Sequence, residues 1–292
     1  MSSVVSGSKG GSAPPFGAMS PPGWLQRLIR LGHGYKNRAI ASIAKRLAIK
    51  RGLPMDITVA GIKLRCRFVD NYSERKFVFT PWRYDVDERR LLERELPSDG
   101  VFVDIGANIG LYTLTVNQVL GPQGRIIAFE PNPVTMKRLR FNLAANRTDN
   151  GEQPNIELLD IGVADRDSSF ELYAHHTNLG SYSIAGKNRA ELQGHDKIKE
   201  TLVIHCRPLL DVLKEFNIGH IDALKIDIEG AEDIALAPYL DNAPDDLLAK
   251  TIIIENSEAL WGCDLFGKME RRGYSLRFRT KMNSVFSVGK QG

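Results

Sequence analysis

Short apolar runs recur along the middle and the end of the chain, and segments with helical spacing separate them. The runs lie at residues 101–103, 126–129, 156–159, 223–228 and 251–254. Continuous apolar strands that alternate with helices are typical of a parallel sheet covered on both faces. The pattern therefore predicts an α/β domain.

Elements of other kinds flank these runs. Alternation and helical spacing predict a hairpin at residues 56–68, a helix at residues 84–96, and a closing antiparallel strand pair at residues 274–278 and 285–288. Two further strands, at residues 170–173 and 201–204, enclose a long polar stretch. An insertion of this size predicts a substrate lid over about residues 168–208.

The N-terminal end differs in charge from the rest of the 292 residues. Residues 1–51 hold nine basic side chains and no acidic one, so the other residues carry a net −5 within a formal total of +4. Apolar residues between Trp24 and Leu53 recur at helical spacing, which predicts two short basic amphipathic helices around Gly32. Such helices can pack on their own domain, lie on an anionic membrane or bind nucleic acid, and these readings stay open.

The chain divides into four predicted regions. They are a disordered tail at residues 1–23, basic amphipathic helices at residues 24–55, the hairpin and helix at residues 56–95, and the main domain at residues 96–292. The tail is rich in Ser, Gly and Pro and lacks the apolar core of a signal peptide. A cytoplasmic protein is therefore expected, with residues 24–51 as the candidate for peripheral contact with the inner face of a membrane.

Three widely spaced cysteines, Cys66, Cys206 and Cys263, show no C-x-x-C pairing. An odd number at such spacing argues against a disulfide framework or a zinc site. We expect reduced, partly buried thiols.

The first core strand ends in the sequence Asp104-x-Gly106-x-Asn108-x-Gly110, and Glu130 follows about 20 residues later. Glycines let the backbone approach a ligand, and a carboxylate at this spacing can accept both hydroxyls of a ribose. A dinucleotide requires three glycines in the order G-x-G-x-x-G, and an aspartate would repel its pyrophosphate. The turn suits a cationic donor, S-adenosylmethionine, whose ammonium and sulfonium need acceptors.

Four ordered motifs, at residues 103–113, 128–133, 178–183 and 224–232, resemble the FkbM family of S-adenosylmethionine-dependent methyltransferases. The resemblance implies a class I methyltransferase (Rossmann-like) fold with strand order 3-2-1-4-5-7-6, in which strand 7 is antiparallel. It also implies O-methylation of a hydroxyl on a sugar, a glycan or a polyketide-like small molecule. The N-terminal helices and hairpin lie largely outside the similar region.

The resemblance also implies roles for particular residues. Asp104, Gly106, Asn108 and Gly110 would surround the methionine moiety of the cofactor, and Glu130 would hold its ribose. Asp160, Gly162 and Val163 would border the adenine, and Tyr84 would close over the cofactor.

An aliphatic hydroxyl must lose its proton during methyl transfer, which calls for a base or a metal. Asp227, at the tip of the fourth strand, is the first candidate base, and Glu229 and His175 are the others. Glu232 is read equally as a helix cap or as a catalytic group. No metal ligand is assigned, although Asp227, Glu255 and Asn256 offer oxygen ligands for a divalent ion.

Other classes remain as alternatives: a nucleic-acid or protein methyltransferase, and a non-catalytic scaffold with this fold. Enzymes that methylate amino groups carry an Asn/Asp-Pro-Pro-aromatic sequence after the fourth strand. This chain has Asp227-Ile-Glu-Gly230 there, so we do not expect a nucleic acid as substrate.

Overall fold

A computed structural model describes residues 13–147, 152–174, 182–184 and 201–289. The described helices are α1 (Gly23–Gly34), α2 (Arg38–Arg51), α3 (Tyr72–Phe79), α4 (Val86–Glu95), α5 (Leu111–Asn117), α6 (Pro133–Ala145), α7 (Leu209–Glu215), α8 (Glu232–Asn242) and α9 (Leu265–Arg271). Short 3₁₀ helices span Pro81–Arg83, Asp245–Leu247 and Glu258–Leu260. Among the described helices, none is long and apolar enough to cross a membrane.

The described strands form three sheets, one of which is the hairpin of the first two strands. The strands are β1 (Met55–Val59), β2 (Ile62–Cys66), β3 (Val101–Ile105), β4 (Arg125–Phe129), β5 (Asn155–Leu159), β6 (Gly162–Val163), β7 (Ser168–Ala174), β8 (Tyr182–Ile184), β9 (Thr201–Arg207), β10 (Ala223–Ile226), β11 (Thr251–Glu255), β12 (Tyr274–Arg279) and β13 (Asn283–Val288). The central sheet has the order β5-β4-β3-β10-β11-β13-β12, and β13 runs antiparallel to both of its neighbours. This is the order 3-2-1-4-5-7-6 with strand 7 antiparallel, so the predicted class I fold is confirmed.

The register of the central strands places the charged side chains of Asp104 and Lys225 close together at one edge of the sheet. Asp104, near the end of β3, pairs with Lys225 of β10 on one side and with Ala128 of β4 on the other. Residues paired in this way across parallel strands project from the same face of the sheet. The carboxyl ends of β3, β4 and β10 therefore meet at one edge, where open α/β sheets bind their ligands.

A second, smaller sheet has the order β6-β9-β7-β8. β7 and β9 are the two extra strands that the sequence predicted, and they pair antiparallel. The polar stretch between them lies mostly outside the described residues, so its role as a lid stays a prediction.

The N-terminal helices pack on the rest of the protein. Leu25 and Ile29 of α1, with Ala44 and Ala48 of α2, are buried in one cluster with the β1–β2 hairpin and the start of α5. The first of the three sequence-based readings is thus what the structure shows. The small alanines of α2 allow the two helices to approach each other closely.

Two parts of the N-terminal prediction are wrong. Trp24, Leu31 and Ile43 were assigned to the apolar faces of the helices, but their side chains are about half exposed, at 52%, 49% and 51%. Helical spacing alone did not separate the packed face from its neighbours. Residues 13–22 are also not a free tail, because Asp56 accepts hydrogen bonds from the backbone N–H groups of Gly17 (2.8 Å) and Met19 (3.0 Å).

The three cysteines are buried or partly buried. Cys66 and Cys206 are buried, and no disulfide joins the cysteines that the structure describes.

Candidate active site

A cleft with about 1030 Å³ of empty space, partly open to solvent, lies at the carboxyl edge of β3, β4 and β10. Most of the sequence-predicted site residues line it together: Tyr84, Asp104, Gly106, Asn108, Glu130, Gly162, Val163, Asp227 and Glu229. The position of this cleft is that of a small-molecule site in an open α/β sheet.

The turn after β3 brings the backbone close to the cleft. Gly106 has φ +78°, and its N–H and that of Ala107 both donate to the Phe129 carbonyl, at 3.0 and 2.9 Å. A Cβ on Gly106 would lie 2.1 Å from the Asp227 carbonyl oxygen. Only glycine allows this approach of the turn to the tip of β10.

Asp104 is fully buried and holds the start of α5. Its Oδ2 accepts hydrogen bonds from the backbone N–H (3.0 Å) and the hydroxyl (2.6 Å) of Thr113. Burial raises the pKa of Asp104, and the charge of Lys225 works against that rise. Its Oδ1 is buried without a hydrogen-bond partner among the described atoms, which leaves one acceptor for a ligand.

Glu130 is buried at the end of β4 and is held by the backbone. Its Oε2 accepts from the Asn108 N–H and its Oε1 from the Asn132 N–H, both at 2.9 Å. Burial raises the pKa of Glu130 to about 7, although these two hydrogen bonds lower it. The Asn132 side-chain amide also lines the cleft, and its Nδ2 has no described acceptor.

These positions fit S-adenosylmethionine. Asp104 Oδ1 is an acceptor for a cationic group, Glu130 and Asn132 offer polar atoms for a ribose, and Gly162 and Val163 line the same cleft. The unpartnered polar atoms are buried, where leaving them unpaired costs about 1–3 kcal/mol each. A polar ligand in the cleft would remove that cost.

Lys225 is a cleft residue that the sequence reading missed. It is buried on β10, and its Nζ lies 3.1 Å from Asp227 Oδ2 and 5.2 Å from the centre of the Tyr112 ring. Burial alone would lower the pKa of Lys225, but Asp227 and Asp104 outweigh burial and raise it. A lysine inside an apolar strand was the signal that could have identified it, because buried lysines require partners.

Glu232 holds the turn that precedes α8. Its Oε1 accepts from the N–H groups of Ile228 (3.0 Å) and Gly230 (3.1 Å), and its Oε2 accepts from the Trp261 indole N–H (2.8 Å). These N–H groups lie outside the first turn of α8, so the bonds fix the turn between β10 and α8 and are not those of a helix cap.

Glu255, at the tip of β11, faces other carboxylates. Burial, followed by the charges of Asp227 and Glu229, raises the pKa of Glu255 to about 9. The neighbouring Asn256 already uses its side-chain oxygen to accept from the Ser284 hydroxyl at 2.7 Å. Within the part of the chain that the structure describes, no group of three His, Cys, Asp or Glu side chains could hold a metal ion.

Three sequence-predicted residues do not join the described cleft. Gly110 does not line it, and its missing side chain instead makes room for Leu139, whose Cδ1 would lie 2.4 Å from a Cβ. Asp160 is exposed and also lies outside the lining, because the chain turns into β6 after it and presents Gly162 to the cleft. His175 lies outside the described residues.

The family model of the methyltransferase FkbM domain matches residues 104–276. Methyltransferase sdnD of Sordaria araneosa is 29% identical over 191 residues, which are 58% of this chain and 67% of that protein. Hexuronic acid methyltransferase AglP of Haloferax volcanii is 32% identical over 108 residues, which are 36% of this chain and 43% of AglP. The crystal structure of methyltransferase FkbM from Methylobacillus flagellatus has a TM-score of 0.41 and 16% identity, covering 85% of this chain and 59% of that one. Since the matched domain makes up more than half of the sequence, the chain belongs to the FkbM methyltransferase family.

Proposed function

We propose that this protein transfers a methyl group to a hydroxyl of a sugar, a glycan or a polyketide-like small molecule. As a member of the FkbM family, it is a methyltransferase that uses S-adenosylmethionine. The observation that carries the proposal is a partly exposed carboxylate, Asp227, held at the rim of the cofactor cleft by the buried Lys225.

S-adenosylmethionine supplies a methyl carbon already activated by its sulfonium. The remaining work of the protein is to hold the donor, align the acceptor and remove its proton. Asp104 and Glu130 are positioned to hold the donor, and Tyr84 lines the same cleft. Because both carboxylates are fixed by backbone hydrogen bonds, they need little reorganisation when the donor binds.

Asp227 is suited to receive the proton of the hydroxyl. Its side chain is 38% exposed and therefore reachable, and the ion pair between its Oδ2 and Lys225 fixes its orientation. The other oxygen, Oδ1, is the atom that would accept the proton. Glu255 is the poorer base, since burial and the charges of Asp227 and Glu229 raise the pKa of its carboxyl and favour the protonated form.

Two observations support oxygen over nitrogen as the acceptor atom. The turn after β10 reads Asp227-Ile-Glu-Gly230 and lacks the paired prolines and aromatic ring of amino-methylating enzymes. AglP, a relative of this chain, is named for methylation of a hexuronic acid. A sugar-type acceptor is consistent with both.

Transfer of a labelled methyl group from S-adenosylmethionine into a cell extract tests the proposal. The extract is separated into lipid, glycan, small-molecule, protein and nucleic-acid pools. We expect label in the glycan, lipid-linked or small-molecule pool, and stability of that label to mild alkali, which cleaves methyl esters but not methyl ethers. Label confined to protein or nucleic acid would contradict the proposed acceptor class.

Loss of a cleft carboxylate is expected to weaken binding of the donor. Glu130→Ala should raise the Kd for S-adenosylmethionine by about tenfold or more, equivalent to about 1.4 kcal/mol, and Asp104→Ala should do the same. Asp160→Ala is the matched control, because Asp160 ends the neighbouring strand but lies outside the cleft. Isothermal titration calorimetry measures all three. Unchanged affinity in Glu130→Ala would refute the assigned ribose contact.

We propose further that the N-terminal helices contact an anionic membrane surface. The exposed residues that define this outer face are Trp24, Arg27 and Leu31 of α1 with Ile43, Arg46 and Lys50 of α2. Cations interleaved with large apolar side chains suit a surface of negatively charged headgroups. Residues 1–51 contain no carboxylate that would repel it.

Charge reversal tests the outer face without disturbing the buried side of the helices. Arg27→Glu/Arg46→Glu/Lys50→Glu is expected to abolish pelleting with phosphatidylglycerol vesicles at low salt. The control, Lys137→Glu/Arg140→Glu/Lys214→Glu, reverses three exposed cations elsewhere and should still pellet. Deletion of residues 1–51 is a poorer test, because Leu25 and Ala44 belong to the core. Failure of the unaltered protein to pellet would end the membrane proposal.

A further inference from the structure

A second concave region, which we call the basic groove, lies between α2, α3, the turn Pro81–Arg83 and the turn that joins β12 to β13. It has about 1170 Å³ of empty space, partly open to solvent. Six cations line it: Arg38, Lys45, Arg75, Lys76, Arg83 and Lys281. No carboxylate is among the described residues of its lining.

The charge of the basic groove is not neutralised within the described part of the protein. None of the six cations forms an ion pair with a described carboxylate, whereas the nearby Arg65 and Arg138 are paired with Asp56 and Asp70. Cations gathered around one concavity repel each other and raise the local positive potential. A bound anion would relieve that repulsion.

The donors converge from separate elements. Arg38 and Lys45 come from α2, Arg83 from the 3₁₀ turn and Lys281 from the turn after β12. Lys76 is placed by Tyr72, whose ring centre lies 5.3 Å from its Nζ. Donors that approach one space from several directions fit the several oxygens of a phosphate group.

Residues that are adjacent in the chain line the basic groove and the cofactor cleft. Tyr72 lines the groove and the next residue, Ser73, lines the cleft; Arg83 lines the groove and the next residue, Tyr84, lines the cleft. The turn after β12 lies at the same edge of the sheet, since the Asn256 N–H at the tip of β11 donates to the Met282 carbonyl at 2.8 Å. A ligand in the groove could therefore extend to the cleft.

The two regions also differ in charge. Four carboxyl groups, Asp104, Glu130, Asp227 and Glu229, line the cleft against one described cation, Lys225, so the cleft is less favourable than the groove for the anionic end of a ligand. This difference would orient an elongated acceptor with its anionic end away from the donor.

We propose that the basic groove binds the phosphate group of a phosphorylated acceptor and so positions that acceptor's hydroxyl at the cleft. The inference rests on the proposed function, because it concerns the acceptor of the same methyl transfer.

Calorimetric titration with inorganic pyrophosphate tests the groove on the full chain. Arg38→Gln/Lys45→Gln should weaken pyrophosphate binding by about tenfold, since charge-assisted hydrogen bonds are lost. Arg46→Gln/Lys50→Gln removes the same charge from the outer face of the same helix and should change the affinity by less than about twofold. Equal weakening in both variants, or no binding by the unaltered protein, would overturn the proposal.

Two further arms identify where the phosphate comes from. A soluble sugar 1-phosphate that competes with pyrophosphate, while the unphosphorylated sugar does not, supports a soluble acceptor. Competition by phosphatidylglycerol vesicles that persists in Arg46→Gln/Lys50→Gln, which lacks two outer-face charges but keeps the groove, supports a lipid-borne phosphate. Single-stranded RNA that binds more tightly than pyrophosphate, and that both double variants weaken equally, would indicate an extended nucleic-acid surface. That result would overturn the proposal.

The S-adenosylmethionine affinity of the same proteins separates the two claims. If the donor binds normally but pyrophosphate does not bind, the proposed role of the groove is refuted and the proposed function is unaffected. If the unaltered protein does not bind S-adenosylmethionine, the proposed function is refuted, regardless of the result with pyrophosphate.

Discussion

Gly106→Ala is expected to abolish measurable binding of S-adenosylmethionine, with a loss of at least about hundredfold, or about 2.8 kcal/mol. The added Cβ would lie 2.1 Å from the Asp227 carbonyl oxygen and 3.1 Å from Ile228 Cγ2. The backbone carbonyl cannot rotate away as a flexible side chain could, so the turn and the tip of β10 must separate. The positive φ of Gly106 adds strain for any residue with a Cβ.

Gly219→Ala is the control for the Gly106 variant. Its Cβ would meet no atom within 4 Å, and Gly219 does not have a positive φ, so donor binding should be retained. Circular dichroism verifies that each variant is folded before its Kd is measured. A folded Gly106→Ala protein with ordinary affinity would show that the close approach of the turn to β10 does not shape the donor site.

Asp227→Asn is expected to reduce methyl transfer by about a hundredfold to ten-thousandfold, the usual contribution of a general base. The amide keeps the size of the side chain but cannot take the hydroxyl proton, and it leaves Lys225 without its closest carboxylate. Transfer of labelled methyl into the acceptor pool measures the rate. Calorimetry on the same protein separates any loss of donor binding from the loss of transfer.

Glu229→Gln distinguishes the two candidate bases on this turn. Glu229 also lines the cleft, but the described ion pair with Lys225 belongs to Asp227. We expect Glu229→Gln to reduce transfer by less than about tenfold. If Glu229→Gln were the slower enzyme and Asp227→Asn retained its rate, the role of base would pass to Glu229.

The strands of the main sheet could be predicted from the sequence because each is a continuous apolar run between helices. Their order could not be read from those runs, and it followed from the resemblance to the FkbM family. At the N-terminus, periodicity located both helices but did not separate the exposed Trp24 and Leu31 from the buried Leu25 and Ile29. Which side of an amphipathic helix packs depends on the surface that receives it, and a single sequence does not show that surface.

The candidate site was predictable where local geometry demands a residue type. Gly106 is required by a turn, and Glu130 follows the next strand at a fixed spacing. Gly110 and Asp160 share those signals but face elsewhere, toward Leu139 and toward solvent. Lys225 lies within the motif at residues 224–232 but was given no role, because its role depends on the pairing of β10 with β3 and on Asp227.

Direct titration with S-adenosylmethionine and, separately, with NAD⁺ is the measurement that tests most simply whether the cleft is a methyl-donor site. The aspartate and the incomplete glycine pattern predict that S-adenosylmethionine binds at one site per chain, that S-adenosylhomocysteine competes for it, and that NAD⁺ gives no detectable heat. Binding of NAD⁺ with equal or higher affinity, or no binding of S-adenosylmethionine to folded protein, would contradict the assignment of this cleft.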